Sequence, residues 1–161
     1  MTFTESVKRG WAGWSRYSGR AARSEFWWFF LFATLVRAAF AFIRLVLMPA
    51  PIGQGVPMLV LATLVSLILL VPTIPLEVRR LHDVSRSGWL IVVFYVLFAA
   101  LIMVSEEWMR LLSRHRETHW QGEVLLVLTV FTGVTWVRVI SLLASRGDPR
   151  PNRYGPPSEN T

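Results

Sequence analysis

Four long apolar runs separated by short polar interruptions dominate the chain: residues 26–47, 57–78, 88–105 and 123–144. Each is near the ~20 residues that an α-helix needs to cross the hydrocarbon of a bilayer. Residues 45–76 contain no Asp, Glu, Lys, Arg or His, and residues 87–105 contain none either. Hydrocarbon solvates charge poorly, so it is the environment that selects such runs. Only helices and closed barrels satisfy their backbone polar groups in lipid, and these lengths are helical. The pattern predicts an all-α integral membrane protein, a four-helix transmembrane bundle with short interfacial helices, as a single membrane domain over 1–161.

The interruptions sharpen this outline. Pro72 and Pro75 fall inside the second run, where each removes an amide donor, so a kink is expected there. Residues 49–55, rich in Pro and Gly, read as a short turn. Residues 1–25 form an amphipathic segment: Val7, Trp11 and Trp14 recur at i, i+4 and i+7 while Lys8, Arg9 and Arg16 lie elsewhere, as on a helix resting at an interface. Gly10 and Gly13 count against that helix. After the third run, Trp108, Leu111, Leu112 and His115 make a similar stripe, with Glu106, Glu107, Arg110, Arg114 and Glu117 for a wet face, which predicts a separate short surface helix. Ser24 and Ser87 stand where they could cap the first and third membrane helices, with Trp27 and Trp89 at head-group level. The echo of Arg23-Ser24-Glu25-Phe26-Trp27 in Arg86-Ser87-Gly88-Trp89 fits either a duplicated hairpin or two helices entering from one leaflet, and the second is preferred.

Charge sets the orientation. Of the 17 Lys and Arg, eleven lie in the amino-terminal segment, the 79–87 turn and the tail from 145 to 161; three lie between the third and fourth runs. Positive-inside bias places both termini in the cytoplasm. The net charge of +7 would point to nucleic acid in a soluble protein, but here the bases are interleaved with spanning segments, and anionic head groups are their nearest partners. The absence of cysteine excludes disulfides, thiolate metal sites and cysteine nucleophiles. The first 25 residues hold several bases and no compact apolar core before a cleavage site, so a cleaved signal is not expected.

Three polar blocks carry a family resemblance. Ser18-Gly19-Arg20-Ala21-Ala22-Arg23-Ser24-Glu25-Phe26-Trp27 comes first, then Pro75 with Arg79-Arg80-Leu81-His82-Asp83 and Arg86-Ser87-Gly88-Trp89, then Asn152-Arg153-Tyr154-Gly155. In order and spacing they resemble the bacterial inner-membrane family called domain of unknown function 805. The resemblance implies a small multi-spanning protein of the bacterial cytoplasmic membrane and brings no established activity. The charged segment 106–122 departs from the short Pro/Gly turn that similar proteins often have there.

The expected topology brings the three blocks to one side, so Arg20, Arg23, Glu25, Arg79, Arg80, His82, Asp83, Arg86, Asn152, Arg153 and Tyr154 form a candidate polar cap. One reading is architectural, with carboxylates pairing to arginines and loop amides capped. The other is that the cap binds an anion, a lipid head group or an acidic protein segment, because arginine forks match phosphate and carboxylate oxygens. Arg37, near the middle of the first span, is an intramembrane charge with no deep acidic neighbour, and it supports the alternative of a small transporter or channel. Arg44 and Arg138 are near enough to helix ends to snorkel. An intramembrane enzyme using His82 and Asp83 ranks last, since adjacent helical residues point about 100° apart. His115 and His119, at i and i+4, lack the glutamate placement of a zinc hydrolase. No catalytic residue, metal or cofactor is expected; partners are membrane lipids, another membrane protein or a second copy of the chain, and not nucleic acid.

Overall fold

A computed structural model of the chain describes residues 1–47, 56–113 and 119–158, which contain five α-helices and no strand. Four of the helices are long and apolar enough to cross a membrane. The 49–55 turn and His115 lie outside the described residues, as do the side chains of Arg44 and His119. The chain divides into two compact units, Met1–Arg86 joined by the tail from Arg146, and Ser87–Ser145.

In the first unit, α1 (Phe3–Ala12) opens on a reciprocal capping box: the Glu5 amide donates to Thr2 Oγ1 at 3.4 Å and the Thr2 amide donates to Glu5 Oε2 at 2.9 Å. Its packed face is not the tryptophan stripe. Ser6, Gly10 and Gly13 are buried while Trp11 and Trp14 are exposed, and Trp14 lies beyond the helix. The two glycines are what let α1 dock. A Cβ on Gly10 would stand 2.3 Å from Phe29 Cδ2, and one on Gly13 would stand 2.8 Å from Arg79 Nη2.

The next helix, α2 (Arg23–Leu47), runs antiparallel to α3 (Val56–Asp83), as the pairing of the α2 start with the α3 end requires. Phe26, Phe29 and Ala33 recur at i, i+3 and i+7 and bury one face of α2, with Ala22 buried just before it, while Leu69, Pro72, Leu76 and Leu81 are buried on α3. Because α2 starts at Arg23, Ser24 lies inside the helix and not at its cap, and its Oγ is buried without a partner among the described residues. Helix α3 continues through Pro72 and Pro75, both fully buried. It ends in a Schellman motif: the Arg86 amide donates to the Leu81 carbonyl at 2.9 Å and the Ser85 amide to the His82 carbonyl at 3.1 Å. Ser85 occupies the left-handed position (φ 58°) that glycine usually takes.

The second unit is a pair of helices, α4 (Trp89–Ser113) and α5 (His119–Ala144). The Ser87 hydroxyl accepts the Trp89 amide at 3.3 Å, so this serine does stand at a helix start. Residues 106–113 continue α4 and form no separate surface helix. Nothing breaks the helix at Ser105, and the Glu, Met, Arg and Leu residues that follow are good helix formers. Arg110 meets Glu106 at 3.9 Å and Glu107 at 3.5 Å on the exposed side. Gly122 brings α5 against Trp108, whose Cη2 would lie 3.3 Å from an added Cβ.

Candidate functional site

Residues from all three polar blocks meet within the first unit, and Asp83 is their centre. Its side chain is almost wholly buried and is clamped by two guanidinium groups: Arg20 Nε donates to Oδ1 at 2.8 Å, and Arg80 Nη1 donates to Oδ2. Ser158 Oγ adds a third donor to Oδ1 at 3.2 Å. Arg20 reaches further. Its Nη1 donates to the Arg150 carbonyl at 2.9 Å, and its Nη2 donates to the carbonyls of Asp83 (3.3 Å) and Asp148. One planar fork thus ties the segment before α2 to the end of α3 and to the tail, which is the geometry that distinguishes arginine from lysine. Buried charges hold only when paired and hydrogen-bonded, and this trio satisfies that condition.

The tail docks on the carbonyls that the end of α3 leaves without helical partners. The Asp148 amide donates to the Asp83 carbonyl at 2.8 Å, and Asn152 Nδ2 donates to the His82 carbonyl at 2.9 Å and to Ser85 Oγ at 3.1 Å. Asn152 and Gly155 exchange amide-to-carbonyl bonds of 3.1 and 3.0 Å, while Asn152 Oδ1 accepts the Tyr154 amide at 2.9 Å. This tight turn needs Gly155 at φ 130°. The turn presents Tyr154, whose ring stacks on His82 at 3.7 Å and 4°, and the Arg153 guanidinium lies 4.7 Å from the Tyr154 centroid. The Ser85 hydroxyl donates to Asp148 Oδ2 at 2.9 Å. The Arg150 amide, first, and that hydroxyl hold the Asp148 carboxyl below its ordinary range.

His82 and Asp83 do not form a dyad. The His82 Nδ1–H donates to the Gly19 carbonyl at 3.2 Å, a tautomer assigned because a carbonyl can only accept. Both Asp83 oxygens are committed to other groups. A second ion pair, Arg79 Nη1 to Glu25 Oε1 at 3.2 Å, joins α3 to α2 with both side chains 8% exposed. Arg79 Nε and Nη2 are buried with no hydrogen-bond partner among the described residues.

The remaining members of the cap are placed differently. Arg86 and Arg153 are exposed, Arg23 is half-buried, and none of the three has an ion pair among the described residues. Arg37 lies along α2, half-buried, without a hydrogen-bonded or ionic partner among the described residues. Arg138 is exposed on α5. No cluster of three potential metal ligands occurs among the described residues. Sequence reasoning missed Ser85, Asp148, Ser158 and the Gly19 carbonyl. Their only signals were the polarity of the 84–88 turn and the Gly147-Asp148-Pro149 turn sequence.

The family model described as Protein of unknown function (DUF805) matches residues 14–156, which include every part of this clasp except Ser158. The chain belongs to that family. DUF805 relatives include Inner membrane protein YhaI of Escherichia coli K12, 35% identical over 104 residues, covering 65% of this chain and 80% of that protein. Inner membrane protein YhaH of the same strain is 28% identical over 93 residues, covering 55% and 70%. No solved structure matches. With four apolar helices of spanning length, this DUF805 chain is a multi-pass inner membrane protein.

Proposed function

We propose that the protein is a binding or assembly module whose clasp lies on the cytoplasmic side, with both termini there, and whose free arginines engage anionic lipid head groups. The supporting observation is a division of labour among the arginines. Arg20 and Arg80 are consumed inside the clasp, whereas Arg86, Arg150 and Arg153 stand exposed around it. The buried set holds the shape and the exposed set meets the ligand. Each basic side chain near an anionic leaflet contributes about 1 kcal/mol of attraction. The positive-inside imbalance supports the orientation.

Native mass spectrometry of the full chain in mild detergent tests the reading. Arg86→Gln with Arg153→Gln should lower the number of phosphatidylglycerol molecules retained and leave phosphatidylcholine unchanged. Equal retention of phosphatidylglycerol by the variant and the parent overturns it. Loss of a cross-linked protein neighbour in intact membranes, with lipid retention unchanged, would assign the arginines to an acidic protein segment.

A further inference from the structure

An apolar groove of about 310 Å³ runs along α3 beneath the segment that joins α1 to α2. Leu67, Leu70, Val71 and Ile74 form its floor, at the i, i+3, i+4 and i+7 spacing of one helix face. Trp14, Ser15 and Tyr17 cover its end. Its size falls in the ~300–1,000 Å³ range of ligand sites. The floor belongs to a spanning helix, and aromatic residues with a polar tip settle at the head-group level.

Positive charge is concentrated at the covered end. Arg16 follows Ser15 directly, is exposed, and lies within electrostatic reach of Arg79. Arg79 Nη2 lies against Gly13, at the head of the same covering segment, and its Nε and Nη2 are buried without acceptors among the described residues. Glu25 accepts from Nη1. Arg79 is buried and does not line the groove, so it acts on an anion at the rim through its field and not by contact.

We infer that this groove is a built site for one anionic phospholipid, its acyl chain along Leu67–Ile74 beneath Trp14 and Tyr17 and its phosphate at the Ser15–Arg16 rim, facing the field of Arg16 and Arg79. The inference deepens the proposed function, since it rests on anionic lipid as the ligand, but it uses residues outside the exposed set Arg86, Arg150 and Arg153. Binding here is stoichiometric and shape-dependent, whereas attraction to the exposed set is diffuse.

The test is native mass spectrometry of the full chain titrated with phosphatidylglycerol, with phosphatidylcholine and inorganic phosphate as comparators. The parent should fill one site before further adducts appear. Val71→Trp, at an exposed position, fills the groove and should weaken that first site about tenfold. Arg16→Gln should weaken it about fivefold, the share of one basic residue. Unchanged circular dichroism in both variants separates lost binding from lost fold. Arg86→Gln with Arg153→Gln should leave the first site intact while reducing later adducts, so the inference and the broader reading fail separately. A first site indifferent to Val71→Trp, one filled equally by phosphatidylcholine, or one emptied by inorganic phosphate alone would each overturn the inference.

Discussion

The unit Met1–Arg86 with its tail joins its elements through buried charge and glycine contacts, whereas Ser87–Ser145 pairs two helices whose exposed side chains over the spanning stretches are mostly apolar. In the most apolar 18-residue window, 28% of α3 is buried within the protein but only 6% of α4. In α4 and α5, Ser105, Thr129 and Ser141 turn their hydroxyls back onto carbonyls of their own helix. The clasp instead joins residues up to 130 positions apart. Lipid provides no hydrophobic drive between helices, so packing and polar bonds must supply specificity. The first unit carries both, and the second unit presents a broad face to hydrocarbon.

The contrast is broken most severely at its centre. Asp83→Ala removes the carboxylate held between the buried guanidinium groups of Arg20 and Arg80, and the expected loss is about 3–5 kcal/mol. Hydrogen exchange should show the damage in residues 1–86 and the tail, and protection in 87–145 should persist. An equal loss in both units would mean that they share one cooperative structure. Next comes Gly10→Val, which drives a side chain into Phe29 and should cost about 1–3 kcal/mol, read as a lower unfolding temperature. Partial rescue by Phe29→Leu would place the fault at that contact.

Asn152→Ala has a smaller effect. It removes bonds to the His82 carbonyl and Ser85, costs about 0.5–1.5 kcal/mol, and should raise exchange in the tail first. Asp148 sharpens the same point through pH. Its carboxyl is held below the ordinary range, so its contribution is complete above the unfolded value and is lost as pH falls through the lower, folded one. Tail protection should therefore fall on acidification below the ordinary carboxylate range, and Asp148→Asn should flatten that dependence. The least effect belongs to Arg110→Gln in α4. Its ion pairs are more than half exposed, and the change in unfolding should stay within about 0.5 kcal/mol.

Residue patterns exposed part of the clasp and hid the rest for definable reasons. Arg79, Arg80 and Asp83 stood out because charge between two greasy runs needs solvation or a partner. Asn152 and Tyr154 could be grouped with them by block and topology. Which arginines face inward was not readable. Arg20 and Arg86 look alike in a string of letters, but Arg20 is enclosed by Asp83, Asp148 and Arg150, and Arg86 points outward. Gly10 and Gly13 count against a helix by propensity alone; the approach of Phe29 and Arg79 turns them into a docking face. Residues 106–113 read as a separate amphipathic piece because their polarity changes at Ser105, yet backbone hydrogen bonding continues wherever no residue breaks it.

The order of apolar and polar residues along the chain determined that this protein spans a membrane with four helices, because the transfer of apolar side chains into hydrocarbon is local, additive and insensitive to what packs against what. Only the tertiary structure decided which charges neutralise one another, where the tail closes over the end of α3, and that two donors of Arg79 find no acceptor among the described residues. Those outcomes depend on directional bonds between residues distant in the chain, and direction is not a property that a linear pattern carries.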